Sequence, residues 1–331
     1  MIKLGFVNCL SDAGVFIFMG PNKKLLLEKK QEFMAKWECR DLGECKEFLG
    51  MRIIRDRSRR ILTLDQQAYL AKILKRFNME NANIAQTPLP AGYKPAINNE
   101  AVDAGLKKQY QSIIGSLLYL TLGTRPDIAY AVIKLSQYSV NPSKLHMNAA
   151  KHVMKYLAGT MKYRLAFNGK SDVSAPIAFT DSDWASDEDN RRSQTGYFIK
   201  IADAVVVWNS HKQTTIALSS TEAEYMALCD CCKQVIWVQN LFNELGVKFV
   251  KHTTPIVGDN QGSLFIASNP VADKRTKHID IRYHFIRQQV EEKRVKMLHV
   301  PTKDQIADIL TKNLGRVQFD YLKRKLGIVF A

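Results

Sequence analysis

The sequence predicts a mixed α/β protein: an α+β front part is followed by a mixed five-stranded sheet with helices on its faces. From Ser174 onward the apolar pattern runs in the order β-β-β-α-β-α-α-β-α, which is typical of a sheet with helices packed on it. Residues 106 to 166 show helical periodicity almost throughout. No run approaches the roughly 18 to 20 apolar residues of a membrane span, so no membrane partner is expected.

The composition is that of a globular protein of a reducing compartment. The 331 residues suffice for two domains, and 46% hydrophobic with 24% charged residues is usual for such domains. Six cysteines form no obvious disulfide framework, and the apolar run in MIKLGFVNCLSD ends too early for a signal peptide. We therefore expect an intracellular location, in the cytoplasm, the nucleus or both.

The positive charge is concentrated in the front half. Up to Lys170 there are 27 basic and 13 acidic residues, whereas from Ser171 onward there are 21 and 19, so the net charges are +14 and +2. A polyanion held by the front half and processed by the acids of the back half would explain this distribution. A merely soluble basic surface is the alternative.

The first 80 residues predict short strands and two helices. The segments AGVFIF, KEFLGMRII and RRILTL predict strands, and NKKLLLEKKQEFMAKW predicts an amphipathic helix between the first two. A second helix follows from Asp65, with Thr63 or Asp65 as its expected cap. The segment NANIAQTPLPAGYKPAINNE predicts a linker, because its prolines and asparagines interrupt any period.

Within residues 106 to 166, helices are expected to restart at Arg125-Pro126-Asp127 and at Asn141-Pro142-Ser143, and the last is expected to end with Gly159 as its C-cap. On that last helix three lysines lie close to one face, and we expect them to meet nucleic-acid phosphates: Lys144, Lys151 and Lys155. Solvated lysines on a surface helix are the alternative.

In the back half each segment has its own signal. IAFTDSDW, TGYFIKI and AVVVWNS predict strands, the last two joined by a turn at Ala202 and Asp203, and PIVGD and VKMLHVP predict two more. The helix that carries Glu224 is predicted to run to about Leu245. Three further helices are predicted over SLFIASN, HIDIRYHFIRQQVEEK and TKDQIADILTKNL.

The segment TEAEYMAL places a carboxylate on an apolar helix face. Glu224 heads a stripe at offsets of 3, 4, 7 and 11, formed by Ala227, Leu228, Cys231 and Val235. Three further acids lie where predicted strands or helices begin or end: Asp181, Asp259 and Asp308. Gathered carboxylates repel each other unless cations lie between them, and Mg²⁺ prefers such oxygen ligands.

These residues carry a family resemblance. Residues from about 171 to 314 resemble the ribonuclease H domain of copia-type retrotransposon Pol polyproteins, through FTDSDWA, RRSQTGYF, SSTEAEYMAL, DNQGSLFIASNP, KHIDIRYHFIR and ADILTKNL in order. KEFLGMRI, the LPAGYKP region, IIGSLLYLTLGTRPDIAYAV and HMNAAKHVMKYLAGT are similar to the preceding reverse transcriptase. The resemblance implies a truncated palm remnant at 1–62, a helical region like the thumb and connection at 63–170, and a ribonuclease H-like domain at 171–331.

The resemblance also implies an activity, the two-metal hydrolysis of the RNA strand of RNA–DNA hybrids. By motif position Asp181, Glu224, Asp259 and Asp308 would hold two Mg²⁺ ions, with Mn²⁺ as an alternative. The hybrid is the expected partner, together with an intact reverse transcriptase or other Pol products. His278 and Arg282, on a helix near other basic residues, are further candidates for contact with the nucleic acid.

Each candidate acid has a structural alternative. Asp183 shares strand parity with Asp181, and only the family match selects the first. Glu224 is able to form a capping box with Thr221, as Glu222 is with Ser219. For Asp259 the alternative is a turn or a helix cap, and for Asp308 a place inside a surface helix.

Other features predict no chemistry. The CxxC spacing in Cys229-Asp230-Cys231-Cys232 lies on a helix without a second pair at zinc spacing, so packed thiols are expected. For His278 and His284 ordinary surface histidines are the alternative. The loop PTKDQ, where related nucleases carry a helpful histidine, has none, and His299 lies in the preceding strand.

The polymerase half departs from the family. Reverse transcriptases need two adjacent aspartates on a hairpin, but no Asp-Asp dipeptide occurs in this sequence. The family pattern places that hairpin where Ile17 is followed directly by Phe18. DNA synthesis is therefore predicted absent, and the front half is expected to act as a basic platform for the hybrid. A catalytically silent, nucleic-acid-binding relic is the alternative function.

Overall fold

The computed structural model describes residues 5–19, 23–170, 175–247, 253–269 and 280–330. The helices are α1 (Lys23–Trp37), α2 (Gln67–Arg76), α3 (Ala104–Gly123), α4 (Ala129–Ser136), α5 (Lys144–Gly159), α6 (Ser220–Glu244), α7 (Gln261–Ser268), α8 (Asp280–Glu291) and α9 (Arg316–Lys325). The strands are β1 (Val7–Asn8), β2 (Phe16–Ile17), β3 (Glu47–Phe48), β4 (Met51–Asp56), β5 (Ile61–Asp65), β6 (Tyr163–Asn168), β7 (Ile177–Asp183), β8 (Gln194–Ile201), β9 (Ala204–Lys212), β10 (Thr254–Gly258), β11 (Val295–His299) and β12 (Ile328–Phe330).

The C-terminal half contains a mixed five-stranded sheet in the order β11-β10-β7-β8-β9, which confirms the predicted fold class. β10 is parallel to both β7 and β11, whereas β7, β8 and β9 are antiparallel neighbours. Ala202 and Asp203, between β8 and β9, both have positive φ angles of 51° and 68°, so the predicted turn is confirmed. Such two-residue turns match the twist of paired strands.

The two faces of this sheet pack against different parts of the chain. Ala178 and Tyr197 point into a core shared with α6, α7 and α8. Phe179 and Phe198 point to the opposite face and belong to one core with the helices of the front half. Alternate side chains of one strand therefore bind the front and back halves together.

A second five-stranded sheet, in the order β12-β6-β5-β4-β3, joins distant parts of the sequence. β12 pairs with β6 in register Ile328↔Leu165, and β6 pairs with β5 in register Leu64↔Leu165. The expectation that residues 106 to 166 are all helical is wrong for β6, because its edges are occupied by strands from both ends of the chain. The sheet takes strands from all three predicted regions, whose division stays a prediction.

Two predicted strands of the front part are shorter than expected. Only Phe16 and Ile17 of AGVFIF are strand residues, paired with Val7 and Asn8. KEFLGMRII is interrupted, since the residues between β3 and β4 turn with positive φ angles of 49° at Leu49 and 67° at Gly50. Glycine tolerates this conformation. The turn converts one predicted strand into a hairpin of β3 and β4.

The helix ends show which capping expectations hold. Ser143 caps α5 through the N–H of His146, as the restart at Asn141-Pro142-Ser143 predicts. Gly159 is the last residue of α5, and Thr160 is its C-cap, so the predicted C-cap is one residue early.

At α2 the predicted cap is half right. Thr63 lies within β5 and is not a cap. The cap residue is Gln66, but Asp65 accepts a hydrogen bond from the N–H of Gln67 at 3.1 Å.

No helix in the described part of the chain has the length and apolarity needed to cross a membrane.

Candidate metal and nucleic-acid site

Three carboxylates meet at one edge of the C-terminal sheet. Asp181 lies near the end of β7, Asp259 follows the end of the parallel neighbour β10, and Glu224 lies in the first turns of α6. Because parallel strands end at the same edge, the two aspartates are brought together there. One carboxylate oxygen from each of the three residues lies within 4.8 Å of the others.

Burial and repulsion are strong in this cluster. Asp181 is 1% exposed and Glu224 is 7% exposed. Burial raises the pKa of Glu224 to about 9, with the nearby charges of Asp181 and Asp259 adding to the effect. Glu224 Oε1 accepts a hydrogen bond from the N–H of Ser182 at 3.2 Å, which fixes its direction toward β7.

The fourth acid, Asp308, reaches the cluster from a different kind of element. The predicted closing helix over TKDQIADILTKNL is wrong: Thr302–Asp304 and Ile306–Leu310 are two 3₁₀ turns separated by the extended residue Gln305. Asp308 is 4% exposed, so its alternative place in a surface helix is also wrong. Burial raises the pKa of Asp308 to about 6, with the charge of Asp181 as the next cause.

Lys312 connects Asp308 to the cluster. Its Nζ lies 2.7 Å from Asp308 Oδ1 and 3.3 Å from Asp181 Oδ2. Burial alone would lower the pKa of Lys312, but the two carboxylates outweigh it and raise that pKa above its ordinary value. Thr311 Oγ1 also donates a hydrogen bond to Asp181 Oδ2. The ammonium of Lys312 thus partly neutralises the group of four acids, and the hydroxyl of Thr311 adds a hydrogen bond to one of them.

This donor set fits a divalent cation. Hard cations such as Mg²⁺ bind carboxylate oxygens, and the clustered oxygens of Asp181, Glu224 and Asp259 converge on one region. Burial is the main cause of the raised pKa of Glu224, and the negative charges of Asp181 and Asp259 add to it. A cation bound there would relieve that repulsion.

The surroundings of Asp183 and Asp259 decide between the alternatives for these two acids. Asp183 is partly buried, and burial raises its pKa, but it is not part of the acid group found among the described residues. The N-cap of α7 is Asn260, which accepts from Ser263 N–H at 2.8 Å, so Asp259 is not that cap.

At α6 the capping residue is Ser219. It accepts from the N–H of Glu222, whose own carboxylate accepts from the N–H of Leu218. Thr221 lies inside α6, so Glu224 is not engaged in a capping box with it. Glu224 is instead buried, as the apolar stripe predicts, and its carboxylate accepts a hydrogen bond from β7.

The nucleic-acid candidates within the described residues lie on α5 and α8 and differ in exposure. Lys144 is exposed, whereas Lys151 and Lys155 are partly buried. Arg282 on α8 is partly buried, and His278 lies outside the described residues. No hydrogen bond or ion pair joins these lysines or Arg282 to the acid group within the described ranges. Their contact with nucleic acid stays a prediction.

Lys312 was missed by reasoning from the sequence, although it carries a readable signal. It follows Asp308 by four residues, a spacing that brings opposite charges together on a helical turn. Cys229, Cys231 and Cys232 lie on α6, and their thiols are buried in the core, as the sequence predicts.

The chain is similar to known proteins over nearly its whole length. The family model described as reverse transcriptase (RNA-dependent DNA polymerase) matches residues 12–91. The chain is 37% identical over 329 residues to the retrovirus-related Pol polyprotein from transposon TNT 1-94 of Nicotiana tabacum, covering 98% of this chain and 24% of that protein. It is 31% identical to the putative transposon Ty5-1 protein of Saccharomyces cerevisiae, covering 65% of this chain and 69% of that protein.

Among solved structures, the chain is similar to LC11-RNase H1 in complex with an RNA/DNA hybrid, at 16% identity and a TM-score of 0.31. That similarity covers 41% of this chain and 94% of the other. The chain spans about a quarter of the length of the Pol polyproteins from Nicotiana tabacum and Arabidopsis thaliana that it matches over 98% and 99% of its own residues.

Proposed function

Because the chain belongs to the Pol polyproteins of copia-type retrotransposons, we propose that it hydrolyses the RNA strand of RNA–DNA hybrids with divalent metal ions, Mg²⁺ first. Asp181, Glu224, Asp259 and Asp308 would hold the metal in this proposal. The basic front half would serve as the platform on which the hybrid lies.

The observation that supports the proposal is the convergence of the acids. Asp181, Glu224 and Asp259 come from two parallel strands and a helix, yet their oxygens approach within 4.8 Å. Asp308 is joined to them through Lys312, at 2.7 Å and 3.3 Å from Asp308 and Asp181 respectively. Buried like charges cost free energy, so a structure that gathers them needs a compensating gain such as a bound cation.

Each residue has a derivable part in the reaction. When bound, two divalent ions supply Lewis acidity for an attacking water and for the departing 3′ oxygen. Asp181 would hold metal together with Glu224 and Asp259, whose oxygens lie within 4.8 Å of its own, while Lys312 Nζ lies 3.3 Å from its Oδ2. Lys312 can give up its ion pair with Asp181 and turn its positive charge to a substrate phosphate.

The test is cleavage of a labelled RNA–DNA hybrid with and without Mg²⁺, comparing the native chain with Glu224→Gln. The substitution preserves size and removes the charge, so cleavage should fall by at least about 100-fold. Glu222→Gln is the matched control, since Glu222 lies on the same helix but contacts the N–H of Leu218. Equal cleavage by native protein and Glu224→Gln would overturn the proposal.

We also propose that this chain does not synthesise DNA. The sequence has no Asp-Asp dipeptide, and Ile17 and Phe18 are consecutive where the family pattern requires the hairpin that carries it. Incubation with a primed RNA template and labelled nucleotides should give no extension. Metal-dependent primer extension by the purified chain would contradict this part of the proposal.

A nucleic-acid-binding protein without catalysis is the second candidate. It is favoured by Lys312, because this ammonium already partly neutralises Asp181 and Asp308 without a metal. The two candidates separate in one experiment. Folded native protein that binds the hybrid but leaves it intact at saturating Mg²⁺ would support the second and exclude the first.

A further inference from the structure

Two buried glutamines, Gln213 and Gln305, each link two of the segments that carry the members of the acid group. Gln213, at the end of β9, is 3% exposed, and Gln305, between the two 3₁₀ turns, is fully buried. Buried amides need hydrogen-bond partners, and the partners of these two share one feature. For each glutamine, two of the partners directly precede or follow proposed metal ligands in the sequence.

Gln213 ties β7 to α6. Its Nε2 lies 3.3 Å from Ser182 Oγ, 3.0 Å from Thr195 Oγ1 and 2.9 Å from the carbonyl oxygen of Ala223, and its two N–H groups are shared among these three acceptors. Ser182 directly follows Asp181, and Ala223 directly precedes Glu224. The side chain therefore spans from the neighbour of one acid to the neighbour of another.

Gln305 ties β7 to the 3₁₀ turn in the same way. Its Nε2 donates to the carbonyl of Thr180 at 2.9 Å, and its Oε1 accepts from the N–H of Ala307 at 3.1 Å. Thr180 directly precedes Asp181, and Ala307 directly precedes Asp308. Asp181 is thus bracketed, since both of its chain neighbours are held by a buried glutamine.

We propose that Gln213 and Gln305 are positioning residues that fix the separations of Asp181 from Glu224 and from Asp308, and thereby set the affinity of the site for divalent metal ions. This inference rests on the proposed function, because it assigns the metal to the same acids. The carboxylates repel each other and would move apart if the segments carrying them were free to shift.

An uncharged amide suits this task. It offers donors and an acceptor in one plane, so it can join a backbone carbonyl to a hydroxyl or an N–H. It adds no charge to a group that already holds four acids. Groups that orient metal ligands from behind typically change metal affinity or activity by about 10- to 100-fold when they are removed.

The experiment measures Mn²⁺ binding to the full chain by the electron paramagnetic resonance signal of the free ion. Gln213→Met and Gln305→Met keep the length of the side chain and remove its hydrogen bonds. Each should raise the dissociation constant for Mn²⁺ by about 10-fold or more. The Mg²⁺ concentration for half-maximal cleavage should rise in parallel, while the KM for the hybrid stays unchanged.

The matched control is Gln239→Met. Gln239 is also buried, at 5% exposed, and its Nε2 donates to Thr254 Oγ1 at 2.9 Å and to the carbonyl of Arg294 at 2.8 Å. It ties α6 to the far end of β10, away from the acids. This variant should lose a similar amount of stability but keep the native Mn²⁺ affinity.

If a methionine variant does not fold, Gln213→Asn or Gln305→Asn replaces it, since asparagine keeps the amide but is too short to span the gap. The inference is overturned if native protein binds Mn²⁺ and cleaves the hybrid while both substituted proteins bind Mn²⁺ within twofold of native, or no worse than Gln239→Met. Native protein that neither binds Mn²⁺ nor cleaves would overturn the proposed function and the inference with it.

Discussion

The Nζ atom of Lys312 lies 2.7 Å from Oδ1 of Asp308, four residues earlier in the chain. The same ammonium is 3.3 Å from Asp181 Oδ2, so it lies between two of the four gathered acids. A cation in this position stabilises the carboxylates when no metal is bound. A divalent ion held by Asp181 and Asp308, as in the proposed function, would compete with this ammonium for the same carboxylates.

Replacing Lys312 by methionine is therefore expected to destabilise the metal-free protein. The substitution leaves buried Asp181 and Asp308 without their charged partner, which should cost about 1 to 3 kcal/mol of unfolding free energy. Urea unfolding in the presence of a chelator measures this loss. Adding Mg²⁺ should stabilise Lys312→Met more than native protein, because the ion no longer displaces an ammonium.

Lys233→Met is the control for this comparison. Lys233 pairs with Asp230 at 3.1 Å on the exposed side of α6, and 53% of its side chain is accessible. Exposed pairs contribute little, so this variant should unfold within about 1 kcal/mol of native protein. A loss at Lys312 no larger than that at Lys233 would show that the ammonium does not stabilise the acid group.

The raised pKa of Glu224 gives the metal-free protein a specific pH dependence. The folded protein keeps a proton on Glu224 up to about pH 9, whereas the unfolded chain releases it near pH 4.5. Between these values the folded state binds more protons, so stability is highest at the acidic end and is lost as the pH rises. The slope contributed by this group is at most about 1.4 kcal/mol per pH unit.

Urea unfolding between pH 5 and pH 9 in a chelator tests this relationship, and Glu224→Gln should flatten the profile. Glu222→Gln, which lacks a carboxylate on the same helix, should keep the native slope. Saturating Mg²⁺ should also flatten the native profile, because bound metal favours the ionised carboxylate. A native profile that rises from pH 5 to pH 9 in the absence of metal would contradict the buried, protonated Glu224.

The sequence predicts the acids better than it predicts what holds them. The stripe of Ala227, Leu228, Cys231 and Val235 places Glu224 on the buried face of α6 because helical periodicity is a local property. The role of Gln305 cannot be predicted from local sequence, because it depends on a hydrogen bond to a carbonyl of β7 that lies 125 residues away. Its bonds to that strand and to Ala307 hold the chain extended, where periodicity predicts a continuous helix.

Long-range strand pairing escapes local patterns for the same reason. Tyr163 to Asn168 become β6 because β5 and β12 supply partners on both edges, and neither partner can be recognised from the segment itself. Gly50 is only a weak sequence signal for the turn at Leu49-Gly50. The surrounding run of apolar residues favoured one long strand instead.

Lys151 supplies a test of the nucleic-acid surface on α5. If it contacts a phosphate of the hybrid, Lys151→Ala should weaken binding at low salt and reduce the slope of log affinity against log salt by about one. Lys94→Ala is the control, because Lys94 is already paired with Glu188 at 2.8 Å. Titrations by fluorescence anisotropy at several salt concentrations give the slopes. An unchanged slope for Lys151→Ala would remove α5 from the binding surface.

The C-terminal segment is expected to stabilise the front half, and Phe319 tests this. Phe319 on α9 is 4% exposed and packs edge-on against Tyr156 of α5, with ring centroids 5.6 Å apart. Phe319→Ala should therefore cost about 3 to 5 kcal/mol of unfolding free energy, the usual loss for a buried phenylalanine. Val317→Ala on the same helix is the control, since Val317 is 85% exposed and its loss should stay within about 0.5 kcal/mol.

If the two variants unfold at the same urea concentration, α9 does not pack on α5 in solution. If Phe319→Ala alone is destabilised and the whole chain still unfolds in one transition, the helices of the front half and the acid-bearing sheet form one cooperative unit.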